Sequence, residues 1–221
     1  VDGDADRTDR RTARLLPRVR HHHRGGLADP QSAIPALLRE TLSLLIEEIR
    51  LLETRIARLE TQLSAAARES LACPTLLSVP GIGLLTATAM VAATGGTVSH
   101  FQDARHFASG FGLTPKEHSS SSTRHLGRIS KRGDRYLRML LTHGARSVLP
   151  AATVAQRTGR SLEGLRQWTL AVQSPSNHNK ATCALANKLA RICFAALRDQ
   201  EPFASDRVQR KLARQAYPTP A

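Results

Sequence analysis

Four consecutive hydroxyls set among fixed cations form the stretch of this chain best equipped for chemistry. Ser119, Ser120, Ser121 and Ser122 follow Lys116 and His118, and Arg124, Arg128, Lys131, Arg132 and Arg135 come after them. Arginine presents a rigid fork of donors and lysine a mobile point charge, so hydroxyls in that company suit a phosphate backbone. A serine hydroxyl is a weak nucleophile, and it needs a base, a metal ion or a strongly polarising setting before it attacks. His118 is close enough in sequence to assist a proton transfer, and equally reads as a surface histidine. The whole segment also reads as a solvated, Ser-rich and Gly-containing loop. Tyr136 is a nucleophile on paper, but its helical spacing beside Leu137 and Leu140 assigns it to the core.

A second pattern is the turn Pro80-Gly81-Ile82-Gly83, between apolar stretches ending at Val79 and beginning at Leu84. It resembles a helix-hairpin-helix turn, which aims backbone N–H groups at a phosphate. Gly81 and Gly83 would permit close approach, Ile82 would anchor the turn, and the next helix N-terminus would favour an anion. Ala87 would let the two helices approach closely. Any tight helix–helix turn could use the same residues.

The elements that must position these groups are helical. Leu38, Leu42, Leu45, Ile49, Leu52, Ile56, Leu59 and Leu63 recur at alternating spacings of four and three among Glu and Arg residues. That is a heptad seam on a helix about 50 Å long. Its pairing is open between two chains and a hairpin within one. Gly95 and Gly96 stop the helix that starts at Leu84. Ser99 or His100 leads into another, with Phe101, Ala104, Phe107 and Ala108 inward, ending near Gly110 and Gly112. Asp134 caps a helix to about Val154, whose buried stripe is Tyr136, Leu137, Leu140, Leu141, Ala145 and Val148. A short segment around Leu165 and Trp168 precedes a last long helix from about His178 to Leu197. The expected fold is mostly α: a basic arm over residues 1–32, a coiled-coil helix over 33–70, a helix-hairpin-helix-like domain over 71–203, and a basic tail over 204–221.

Composition narrows the partner. The 221 residues carry a net charge of +14, with 32 Lys and Arg against 18 Asp and Glu. A chain this basic attracts polyanions and releases their counterions, so DNA or RNA leads and an anionic membrane surface follows. Cys73, Cys183 and Cys193 make no CxxC pair and read as reduced, mostly buried thiols of a cytosolic protein. No metal site is predicted; His21, His22 and His23 offer no defined ligand geometry. No apolar run reaches membrane-spanning length, and none forms a signal-peptide core.

Four blocks together resemble the C-terminal domain of bacterial insertion-sequence transposases of the IS-one-ten family, in order and spacing, over residues 35 to 203. They are Leu77 to Ala87, Phe107 to Pro115, Ser119 through Arg138, and Asn179 to Arg191. The resemblance implies DNA recombination by a serine that attacks a phosphodiester and holds a phosphoserine link; that serine maps onto Ser120, with Ser119 adjacent. It implies Arg124, Arg128 and Lys131 as phosphate holders. It implies Mg²⁺ bound by an acidic nuclease domain, and in some members a structured guide RNA. It also implies self-association, or association with a full-length transposase, through the coiled coil, in the bacterial cytoplasm at the nucleoid. Two departures stand out. Ser121-Ser122 replaces the usual Gly-Gly, and nothing upstream of the coiled coil resembles the acidic domain. The expectation is a truncated copy that binds nucleic acid and by itself does not recombine it, with a non-catalytic binding or dimerisation module as the competing class.

Overall fold

Long Leu/Glu/Arg sequence favours one extended helix, whereas the shorter Ala- and Leu-rich segments after it must bury themselves against one another. The computed structural model describes residues 35–118, 120, 123, 125–160, 164–174 and 177–204. The predicted arm and nearly all of the predicted tail lie outside those residues. The chain divides into two compact units, residues 1–60 and 61–221.

Helix α1 (Ala36–Glu69) carries the seam. The Pro35 carbonyl accepts from the N–H groups of Leu38 and Arg39 and sets its start. Leu38, Leu42, Leu45, Ile49, Leu52, Ile56 and Leu59 are all exposed, between 36 and 57%. Leu44 and Leu51, outside the strict seam, are exposed as well. Near the end of the helix Ala67 is buried.

The second unit contains α2 (Ala72–Leu77), α3 (Leu84–Thr94), α4 (Ala104–Gly110), α5 (Arg135–Arg157), α6 (Leu165–Gln173) and α7 (His178–Asp199). Between α4 and α5 lies a two-stranded antiparallel ribbon, β1 (Pro115–Glu117) and β2 (Leu126–Ile129). Helix α7 is the centre: it packs against α2, α4, α5 and α6. Its buried face includes Leu185, Leu189, Cys193 and Leu197. Burial pushes the Cys193 thiol up to about 12, so it stays protonated and inert. Cys73 is buried as well and Cys183 partly so.

Local signals placed most helix ends. The Asp134 carboxylate accepts from Leu137 N–H at 2.9 Å, and the Asn177 side chain from Lys180 N–H at 2.8 Å. Gly95 ends α3 in the left-handed conformation at φ 64°. Helix α4 starts at Asp103 and not at the expected Ser99 or His100. The Asp103 carboxylate accepts from the N–H groups of Arg105 and His106, both at 2.7 Å, which caps the helix there. These hydrogen bonds, the one from His106 first, hold the carboxyl below its usual range. Helix α5 runs on past Val154 to Arg157 and carries the exposed Pro150 within it.

Two expectations about packing need correction. Tyr136 is 50% exposed and not in the buried stripe, which runs through Leu137, Leu141, Ala145, Val148 and Leu149. One residue of offset is about 100° of helix, enough to turn Tyr136 outward. With aromatics at only 4%, the sequence predicts a core of small and aliphatic side chains, and the structure adds aromatic ones to it. Phe107 lies edge-on to Phe101 at 4.9 Å and to Phe111 at 4.8 Å, and tilted against Phe194 at 5.6 Å. Such edge-to-face pairs add attraction beyond area burial. Phe203, just past α7, packs on the same core, and its N–H donates to Ser78 Oγ at 2.7 Å.

Candidate nucleic-acid interface

The described residues that flank and enter the serine run form a ribbon. Glu117 pairs with Leu126 and Pro115 with Ile129, with an irregularity between them. The pairing continues to the tip, where His118 N–H donates to the His125 carbonyl and Ser120 and Thr123 exchange two backbone hydrogen bonds. All described ribbon residues from Pro115 to Arg128 are exposed. An isolated two-stranded ribbon is marginal in water, so its base must hold it.

That base is a set of long-range hydrogen bonds. Ser130 N–H donates to the Thr114 carbonyl at 2.8 Å, Lys131 N–H to Gly112 at 3.0 Å and Asp134 N–H to Gly110 at 2.9 Å. From α5, Arg138 Nη1 donates to the Phe111 carbonyl at 2.9 Å. From α7, Asn187 Nδ2 donates to the Leu113 carbonyl at 3.1 Å. Gly112 (φ 66°) and Gly133 (φ 97°) let the two strand ends meet backbone to backbone. Lys131 itself sits at φ 56°, uncommon for a residue with a side chain. Both strand ends are therefore fastened to the helical core, and the ribbon projects from a rigid mount.

Side chains alternate across a ribbon, so His118, Ser120, Thr123 and His125 share one face, with Ser120 at the tip. Arg128 lies within the irregularity of β2, between Leu126 and Ile129, about five residues and roughly 16 Å of strand rise from Thr123. Arg128, Lys131, Arg132 and Arg135 thus gather toward the ribbon base, all exposed. Ser119 and Arg124 lie outside the described residues, as do Ser121 and Ser122. The structure brings His118 and His125 to the Ser120 face; it places the described cations further down.

The Pro80–Gly83 turn has two different glycines. Gly81, at φ 86°, is pressed against α5: a Cβ there would meet the Gly144 carbonyl oxygen and a Val148 methyl, each at 2.8 Å. Gly83 is exposed, with open space where a Cβ would be, and is the N-cap of α3 without a side-chain cap. Ile82 is buried, anchoring the turn as expected, and Ala87 is fully buried. The first turn of α3 has no side-chain cap at Gly83, and Gly81 serves packing. Arg138 and Asn187 were missed as positioning residues. Their signal is a polar side chain at the margin of a buried helical stripe, which does not name its partner.

A family model described as Transposase IS116/IS110/IS902 family matches residues 73–159. The segment from α2 to α5, ribbon included, is a match to that transposase family. The matched span begins in α2, includes the Pro80–Gly83 turn and the whole ribbon, and ends just past α5. A Pseudomonas aeruginosa protein described as a "Probable family 20 transposase" is 44% identical over 172 residues, 77% of this chain and 48% of its own length. The transposase for insertion sequence element IS1111A of Coxiella burnetii is 34% identical over 177 residues, 80% of this chain and 47% of its own. The transposase for insertion sequence element IS1328 of Yersinia enterocolitica is 32% identical over 161 residues, 73% and 46%. The chain spans about half the length of these transposase relatives. Among the described residues no helix is long and apolar enough to cross a membrane.

Proposed function

We propose that this chain is a DNA-binding part of an insertion-sequence transposase, with Ser120 as the group that attacks a DNA phosphodiester. The observation that carries this reading is the mounted ribbon: it lies inside the transposase-matched span and holds Ser120 at an exposed tip. In the step, Ser120 Oγ forms a bond to phosphorus as the bond to one bridging DNA oxygen breaks. The leaving oxygen takes the electron pair, and the hydroxyl proton passes to a base. His118, on the Ser120 face, is the nearest side-chain candidate in the ribbon register. Ser119 is the alternative nucleophile. Arg124, Arg128, Lys131, Arg132 and Arg135 hold flanking phosphates, and the uncapped turn at Gly83 takes another in helix-hairpin-helix fashion.

Among the described residues no group of three or more His, Cys, Asp or Glu side chains could hold a metal ion. The described residues do not fit Mg²⁺. A structured RNA is a second polyanionic partner for the same cations.

The test mixes this chain with DNA and a family transposase whose own nucleophilic serine is replaced by alanine. A denaturant-resistant adduct on this chain is expected, and Ser120→Ala should abolish it while Ser119→Ala retains it. An unchanged adduct on Ser120→Ala would refute the assignment.

The exposed α1 seam favours a second reading, a binding module that pairs through a coiled coil with another copy or with a complete transposase. Binding alone then suffices. Duplex affinity should fall with salt at a log–log slope of about −3 to −4 if Arg128, Lys131, Arg132 and Arg135 each neutralise a phosphate. A flat salt response would remove these four from the interface.

A further inference from the structure

We propose that the outward face of the first three turns of α5 is a docking strip for an unpaired nucleic-acid strand, on which Tyr136 stacks against a base. This rests on the nucleic-acid reading above and adds a place and a strand state to it.

Tyr136 is 50% exposed and Met139 45%, although both are large side chains that would gain by burial. His143 is exposed at the following position of the same stripe, with exposed Arg135 and Arg146 along its edge. Positions 136, 139 and 143 follow the helical period, so they form one face, about 16 Å long from Arg135 to Arg146.

The face is one-signed. Helix α5 contains no Asp or Glu in its 23 residues. Over residues 104–198 the sequence holds 16 Lys and Arg against three Asp and Glu. One of the three, Asp134, already accepts from Leu137 N–H at the start of α5. An apolar protein partner would have to leave these arginines without countercharge. A polyanion matches them.

The aromatic decides the strand state. A tyrosine ring flanked by arginines is a stacking platform for a base, with the guanidinium groups left to the phosphates. In a duplex the base faces are hidden inside the stack, so the ring has a partner only where bases are unpaired. A locally opened DNA duplex would supply such a strand, and a folded RNA offers one in its loops.

The experiment measures anisotropy of a labelled oligothymidine and of a labelled duplex with the full chain, at one fixed salt concentration. Tyr136→Ala is expected to weaken single-strand binding about tenfold and leave duplex binding unchanged. Tyr136→Phe, which keeps the ring, should remain within about twofold of the unaltered chain. Equal single-strand affinity for Tyr136→Ala and the unaltered chain would overturn the strip. So would an equal loss on strand and duplex, or a Tyr136→Ala chain that changes its oligomeric state with unaltered affinity, which would mean a second copy covers the face. An unaltered chain that binds neither probe would overturn the nucleic-acid reading itself, and this inference with it.

Discussion

Gly133→Ala is expected to destabilise the second unit by about 3 kcal/mol or more. Two penalties act together. Gly133 has φ 97°, where a side chain costs roughly 1–2 kcal/mol. A Cβ would also overlap the Gly110 carbonyl oxygen, with a separation of 2.0 Å. That atom is backbone at the end of α4, beside the Asp134 N–H to Gly110 hydrogen bond, so it cannot swing aside as a side-chain tip would. Forced overpacking of this kind adds about 1–3 kcal/mol. Gly112→Ala meets the Arg132 carbonyl oxygen at 2.2 Å on the other side of the same junction, and should behave alike. Urea unfolding checks both: the midpoint should drop with little change in slope. A loss below about 0.5 kcal/mol, the range of an ordinary surface change, would mean the two strand ends do not meet this closely. Because the junction carries the ribbon, either variant should also lose the Ser120 adduct.

Gly144→Ala is expected to cost about 1–3 kcal/mol against the usual direction of helix propensity. In an ordinary helix interior, alanine in place of glycine gains roughly 1 kcal/mol. Here a Cβ would lie 2.1 Å from the Gly81 carbonyl oxygen, so α5 and the Pro80–Gly83 turn would have to separate. Separation would loosen Ile82 and Val79, both buried beside that contact. The sign of the effect therefore decides the packing. Gly83→Ala is the control: nothing lies within 4 Å of its Cβ position and its φ is −97°, so stability should stay within about 0.5 kcal/mol. A stabilised Gly144→Ala would show that the turn does not press on α5.

Helix order, the α1 seam, the cap at Asp134 and the stop at Gly95 were legible from residues alone. Each depends on a period of 3.6 or on a side chain meeting backbone within about three residues, interactions that are local by nature. The candidate chemistry was legible in the same limited sense, since Ser120 and the cations near it are conspicuous by type. Their arrangement was not. No apolar–polar alternation marks the 115–129 ribbon as strands, because neither of its faces is buried. It exists through contacts between distant parts of the chain, such as Asn187 holding the Leu113 carbonyl across 74 residues. The exposure of Tyr136 has the same origin: period alone allows the α5 stripe to begin at 136 or 137, and the packing of α3 and α7 against α5 selects 137. Sequence by itself determined which residues could act and which helices would form. Tertiary structure decided that Ser120 stands at the tip of a mounted ribbon, with His118 on its face and the described cations at the base, because that placement is set by long-range hydrogen bonds and glycine contacts to which no local pattern corresponds.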